Sequence, residues 1–166
     1  MSKTRSIPAW LALIRLPNLV TVPGDVLAGC VLVGGAAGLS QSAVPAAVMA
    51  SLLFYIGGLV MNDLADRAID RRERPERPLP SGAVSVRAAS WVLGLVVSAG
   101  LILAAVGGGW MLAGGLALVV AISAYNLRAR ASRVFGAATM GLCRALNLAL
   151  GVVAARPDVW SSEYLV

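Results

Sequence analysis

Asn62, Asp63, Asp66 and Asp70 are the residues whose types and spacing could do chemistry. They stand at the end of a long apolar run and hold three of the eight carboxylates in a chain of 166 residues. At 100° per residue on a helix, Asp66 lies about 60° and Asp70 about 20° from Asp63, so the three share one face and span roughly 10 Å of axis. Three like charges so placed repel one another unless a cation holds them. Mg2+ fits that role, because it prefers oxygen ligands, keeps several waters and bridges one or two carboxylates to substrate phosphates. Asn62 can add an amide oxygen, and Arg71, Arg74 or Arg77 in the following loop can contact the remaining phosphate oxygens. The same residues also suit a solvated helix end in which Asp63 pairs with Arg67 and Asp70 with Arg74.

Two further charges fall inside apolar stretches, Asp25 in the first and Arg144 in the last. Each lies roughly ten residues or fewer from the polar end, and charges at such depth face a bundle interior or a wet cavity and often pair. We expect them to point into one polar cavity with Asn147 near by, as a structural ion pair or as a substrate contact. Cys30 and Cys143 are far apart and lack metal-ligand spacing, so they read as core residues.

The elements that must position these residues are membrane helices. The chain is 58% hydrophobic and 13% charged, has no His and has a mean hydropathy of +0.81, too apolar for a soluble domain of this size. It divides into five apolar stretches, 19–39, 44–64, 84–106, 110–125 and 134–155, most of them near the ~20 residues a span needs. The expected architecture is a single all-α, polytopic transmembrane bundle over residues 1–166. A net charge of +6 does not mark a nucleic-acid binder, because the basic residues are placed by topology. They precede the first stretch, flank the second and third and separate the fourth and fifth, whereas 40–43 and 107–109 carry no charge. The positive-inside rule therefore puts the N-terminus and the Asp-bearing loop in the cytoplasm. Pro75, Pro78 and Pro80 forbid a regular helix between the second and third stretches. A basic loop of this kind also suits a passive tether to anionic lipid, although that would leave the register of the aspartates unexplained.

Asn62 to Asp70 reads as N-D-x-x-D-x-x-x-D, and Arg77-Pro78-Leu79-Pro80-Ser81-Gly82 follows it. Together they resemble the first aspartate-rich motif and loop of the UbiA-type membrane prenyltransferases. Arg15-Leu16-Pro17-Asn18, Tyr125-Asn126 and Cys143-Arg144-Ala145-Leu146-Asn147 are similar to the family's first-, fourth- and fifth-helix segments. The CDP-alcohol phosphotransferases match less well, since their D-G-x-x-A-R opening is absent. The resemblance implies a bundle of about nine spans around a cavity open to cytoplasm and lipid. It further implies Mg2+-dependent transfer of a prenyl group from an allylic diphosphate to an acceptor, in a bacterial or archaeal plasma membrane.

By that resemblance Asp63, Asp66 and Asp70, with Asn62, hold Mg2+ and the diphosphate and are the catalytic set. Arg77, Tyr125, Asn126 and Arg128 are diphosphate or substrate contacts, many members having Lys where this chain offers Arg128 or Arg130. Arg144, Asn147 and Asp25 complete the expected substrate contacts. Tyr125 also suits an interfacial aromatic anchor. The family's second, D-x-x-x-D motif has no counterpart here, since the acidic residues after Glu76 are Asp158 and Glu163. The expectation is therefore the N-terminal half of such an enzyme, read first as a truncated product. A split enzyme completed by a second-half chain and a self-associating half bundle are the other accounts. The alternative function is a non-catalytic remnant or partner subunit that binds Mg2+ or lipid phosphate. An aromatic acid, a porphyrin-type ring, a sugar or a lipid are all compatible acceptors.

Overall fold

A computed structural model describes residues 6–15, 19–128 and 132–156, with side chains from Ala9 onward. Among the described residues there are six helices and no strand: α1 (Ser6–Leu13), α2 (Pro23–Gly38), α3 (Val44–Glu73), α4 (Val86–Val106), α5 (Gly109–Leu127) and α6 (Arg133–Ala155). The last four are long and apolar enough to cross a membrane, and α2 is a shorter apolar helix.

Local chemistry explains the boundaries. Ser85 and Ser132 cap α4 and α6, their hydroxyls accepting from the backbone N–H groups of Ala88 and Phe135. Pro residues open α2 and α3, where the missing N–H costs nothing. Gly108 joins α4 to α5 at φ 111°, a left-handed conformation that favours glycine.

Two features depart from the hydropathy pattern. The stretch at 19–39 yields a helix of only 16 residues, opened by Pro23 and kinked at Gly35, where φ is 57°. That is short of the ~20 residues of a full perpendicular span. The short α1, which lies before the apolar stretches, packs against α3.

Helix α3 carries the candidate site. It has 30 residues and so is about 45 Å long, against roughly 30 Å of bilayer hydrocarbon. Apolar residues fill its first two-thirds, and its polar end continues as unbroken helix through Asn62, Asp63, Asp66 and Asp70, stopping at Arg74 before Pro75.

Two apolar clusters hold this end in place. The larger joins α2, α3, α4, α5 and α6 around Val26, Cys30, Phe54, Met111 and Leu150. The smaller packs Leu13 of α1 and Leu79 and Val84 of the Pro-rich loop against Val60 and Ala89, folding that loop back toward the aspartates. Helices α2 and α6 run parallel, with Asp25 beside Arg144 and Gly29 against Leu148 and Val152. They cross so closely that a Cβ on Gly29 would meet the Leu148 carbonyl oxygen and one on Gly151 the Val26 carbonyl oxygen. Outward faces are apolar, with Trp91, Leu95, Ile102, Val106 and Val120 all more than half exposed, as lipid-facing helices require.

Candidate functional site

The three aspartates on one face of α3 do not stand in equivalent surroundings. Asp63 and Asp70 are buried, whereas Asp66 is half-buried. Arg77 Nη1 lies 2.8 Å from Asp70 Oδ2 and 3.7 Å from Asp63 Oδ1. The loop held by Leu79 and Val84 thus delivers a guanidinium between two buried carboxylates. Burial would lower the Arg77 pKa, but the hydrogen bond it donates to Asp70 and the charges of Asp70, Asp63 and Asp66 hold it above its ordinary value. Asn62 donates from Nδ2 to Asp66 Oδ2 at 3.2 Å and to Asp63 Oδ1 at 3.5 Å, tying the two together. Among the described residues, the ion pairs of Asp63 and Asp70 run to Arg77 and Arg15 and not to the i+4 partners Arg67 and Arg74.

Arg15 is a site residue that sequence reasoning missed. Its Nη2 lies 3.7 Å from Asp63 Oδ1, and its φ of 47° is the one left-handed non-glycine conformation among the described residues. In the sequence it opens the Arg15-Leu16-Pro17-Asn18 segment without a role at the site, and nothing in the spacing links it to Asp63.

Next to this cluster a cleft of about 430 Å³ opens between α2, α3, α5 and α6. Arg15 and Asn62 line its aspartate end, Phe54, Tyr55 and Tyr125 supply aromatic wall, and Asp25, Arg144, Asn126 and Asn147 supply polar wall. Arg144 Nη2 and Asp25 Oδ1 form an ion pair at 2.8 Å. Arg128 caps the C-terminus of α5, is exposed and does not line the cleft. Arg130, Leu16 to Asn18, Asp158 and Glu163 lie outside the described residues.

Three buried oxygens of residues that line the cleft, Ser51 Oγ, Asn126 Oδ1 and Asn147 Oδ1, have no hydrogen-bond partner among the described residues. An unsatisfied buried polar group costs about 1–3 kcal/mol, and all three belong to residues of the cleft wall, one on each of three helices. Ser51, Tyr55 and Gly58 were not legible as site residues, because on an apolar helix a lone Ser or Tyr carries no pattern.

The donor set suits Mg2+ in kind. Among the described residues no group of three His, Cys, Asp or Glu closes into a ready metal cage, since Arg77 stands between Asp63 and Asp70. Mg2+ bound through one or two carboxylates, waters and phosphate oxygens does not need such a cage.

Residues 25–166 match the sequence model of the UbiA prenyltransferase family. The chain belongs to that family. Its likeness to a UbiA-type enzyme therefore extends beyond the aspartate motif to nearly the whole chain. Among the family's curated members, the digeranylgeranylglyceryl phosphate synthase of Metallosphaera sedula is 28% identical over 91% of this chain and 53% of its own length. The protein of the same name from Ignicoccus hospitalis is 38% identical over 54% of this chain and 28% of its own length. A solved structure described as giving "structural and mechanistic insights into the biosynthesis of Digeranylgeranylglyceryl phosphate synthase in membranes" superposes with a TM-score of 0.81 at 22% identity, covering 90% of this chain and 53% of the other. The chain thus spans about half the length of the first of these relatives and shares the all-helical membrane fold of the solved structure.

Proposed function

We propose that this chain carries the diphosphate-binding part of a UbiA-type prenyltransferase site, taking an allylic prenyl diphosphate with Mg2+ and directing the prenyl group to an alcohol of the glyceryl phosphate type. The observation that carries the reading is the buried Asp63 and Asp70 pair at the head of a largely apolar cleft, with Arg77 and Arg15 beside it. The acceptor class follows from the name shared by the curated relatives.

Asp63, Asp66 and Asp70 are the residues that would hold Mg2+, which when bound neutralises diphosphate charge and eases its departure. Arg15 and Arg77 complement them as diphosphate contacts, offering planar, permanently charged donors to phosphate oxygens. The rings of Phe54, Tyr55 and Tyr125 face the path of the allylic carbons, where a developing cation is favoured by aromatic faces and water is excluded. The bond from the allylic carbon to the diphosphate oxygen breaks, the acceptor oxygen bonds to that carbon, and its hydroxyl proton leaves to the released diphosphate. Arg144, 74% exposed, opens the cleft on its α6 side, where further wall comes from the rest of a longer protein, a second chain or a second copy. By the positive-inside rule the aspartate end faces the cytoplasm of an archaeal or bacterial cell.

A second reading has one observation in its favour. The 2.8 Å contact of Arg77 with Asp70 closes the cluster on itself, as in a membrane protein that binds Mg2+ or lipid phosphate without turnover. Purified chain in nanodiscs, given labelled geranylgeranyl diphosphate and a glyceryl phosphate monoether, separates the two. Prenyl transfer that requires Mg2+ and is abolished in Asp63→Asn supports the enzyme. Mg2+-dependent binding without transfer supports the second reading, and loss of both effects would reject each.

A further inference from the structure

Among the described residues two cations line the cleft, Arg15 and Arg144, and they stand on different sides of it. Arg15 belongs to the α3 side, where its Nη2 lies 3.7 Å from Asp63 Oδ1. In that cluster three aspartates face two arginines, so it is net negative and draws an anion only once a metal is bound. Arg144 belongs to the wall built by α2 and α6. Its Nη2 donates to Asp25 Oδ1 at 2.8 Å, and it makes no other hydrogen bond among the described residues. Most donors of its planar fork therefore stay available to a ligand. The pair is also unequally sheltered, since the Arg144 side chain is 74% exposed and that of Asp25 24%. A group arriving at this wall meets the positive charge first.

A strut between two helices would shelter both of its charges. Arg144 instead stands open about 16 Å along α6 from Arg133, at a depth where an ionisable side chain in an apolar helix marks a binding site. We infer that Arg144 anchors the anionic group of the acceptor, a phosphate monoester, that Asp25 positions its fork, and that the cleft thereby has a second anion subsite that works without a metal. This rests on the prenyltransferase reading and specifies it further. An acceptor of the glyceryl phosphate type carries a phosphate of its own, which the diphosphate would repel if both were seated on the α3 side. With the diphosphate there and the acceptor phosphate at Arg144, the two are kept apart and the acceptor hydroxyl is left in the cleft between them. A guanidinium suits the task, since it offers parallel N–H bonds to two phosphate oxygens and keeps its charge at every working pH. An acceptor without an anionic group would leave this donor unused.

The test is calorimetric titration of the full chain in nanodiscs of neutral lipid, with EDTA present so that the aspartates hold no Mg2+. The two probes are a glyceryl phosphate monoalkyl ether and the glycerol monoalkyl ether that lacks the phosphate. The phosphate probe should bind at least about tenfold more tightly, the least that a charge-assisted hydrogen bond supplies. Arg144→Gln should remove most of that preference, whereas Arg87→Gln, at an exposed position outside the cleft, should keep it. Asp25→Asn should raise it, because the amide oxygen still accepts from Nη2 while the competing charge is gone. Equal binding of the two probes to the unaltered chain would overturn the inference, whether or not any variant folds, and so would an undiminished preference in Arg144→Gln. A preference that falls in Asp25→Asn as far as in Arg144→Gln would make the pair a brace between α2 and α6 and overturn it too. Nanodiscs containing phosphatidylglycerol separate the sources of phosphate. A preference that persists there assigns Arg144 to the acceptor, and one that vanishes assigns it to bulk lipid headgroups, against the inference. Mg2+-dependent binding of geranylgeranyl diphosphate in the same preparation without EDTA reports on the parent reading alone. Its loss alongside an intact phosphate preference would remove the transferase and leave the anion subsite standing.

Discussion

Arg77 has 24% of its side chain exposed and contacts two carboxylate side chains that are 10% and 6% exposed. Removing it leaves two like charges, poorly solvated, on one helix face. Arg77→Gln should therefore destabilise the fold by about 2 kcal/mol, the range for stranding a partly buried charge partner. The loss would be read as a lowered Tm in nanodiscs. Because the missing guanidinium served as counterion, Mg2+ at millimolar concentration should raise the Tm of this variant more than that of the unaltered chain. An equal response in both proteins would argue that the aspartates do not form a cation site. The aspartate register was legible in the sequence because helical geometry alone sets it. The partners were not, since Arg15 and Arg77 reach Asp63 through the packing of Leu13, Leu79 and Val84, which no local pattern encodes.

At the scale of elements, the cleft depends on the crossing of α2 and α6. Gly151 packs on the Val26 carbonyl and Gly29 on the Leu148 carbonyl, and Cys30 donates its S–H to the Gly151 carbonyl at 3.3 Å. The obstacle is backbone on both sides, so it cannot yield by a rotamer change. Gly151→Ala should force the helices apart, part Asp25 from Arg144 and cost about 3 kcal/mol or more, near the upper end for overpacking. Gly94→Ala in α4 is the matched control, since its Cβ meets nothing within 4 Å, and its effect should stay within about 1 kcal/mol. Similar losses from both substitutions would show that the α2 and α6 crossing is not specially tight. Hydropathy located the long helices well because bilayer thickness sets their length. It overstated the first element, because Pro23 starts a helix but is excluded from the interior of one, and Gly35 breaks the later turns.

For the whole molecule, charge and geometry make a joint statement about sidedness. The end of α3 with Asp63, the loop with Arg77 and the end of α1 with Arg15 meet in one cluster, and the C-terminus of α5 shares that end through the Asn126 contact with Gly58. The opposite ends, at Ser40 and at Gly107 and Gly108, carry no charge. Architecture at this scale was therefore readable from the sequence, whereas the cleft was not, being lined by residues of four helices whose relative rotation emerges only from packing. Single cysteines at Arg74, Arg128 and Ser40, all exposed positions, turn the sidedness into a measurement. Cys30 and Cys143 are buried and half-buried, so a charged maleimide that cannot cross the bilayer should react chiefly at the introduced thiols. In inverted vesicles Arg74→Cys and Arg128→Cys should label and Ser40→Cys should not, and in right-side-out vesicles the pattern should reverse. Labelling of position 74 from the outer side would place the aspartates away from the cytoplasm. An allylic diphosphate, too highly charged to cross hydrocarbon unaided, would then have no cytoplasmic route to Asp63.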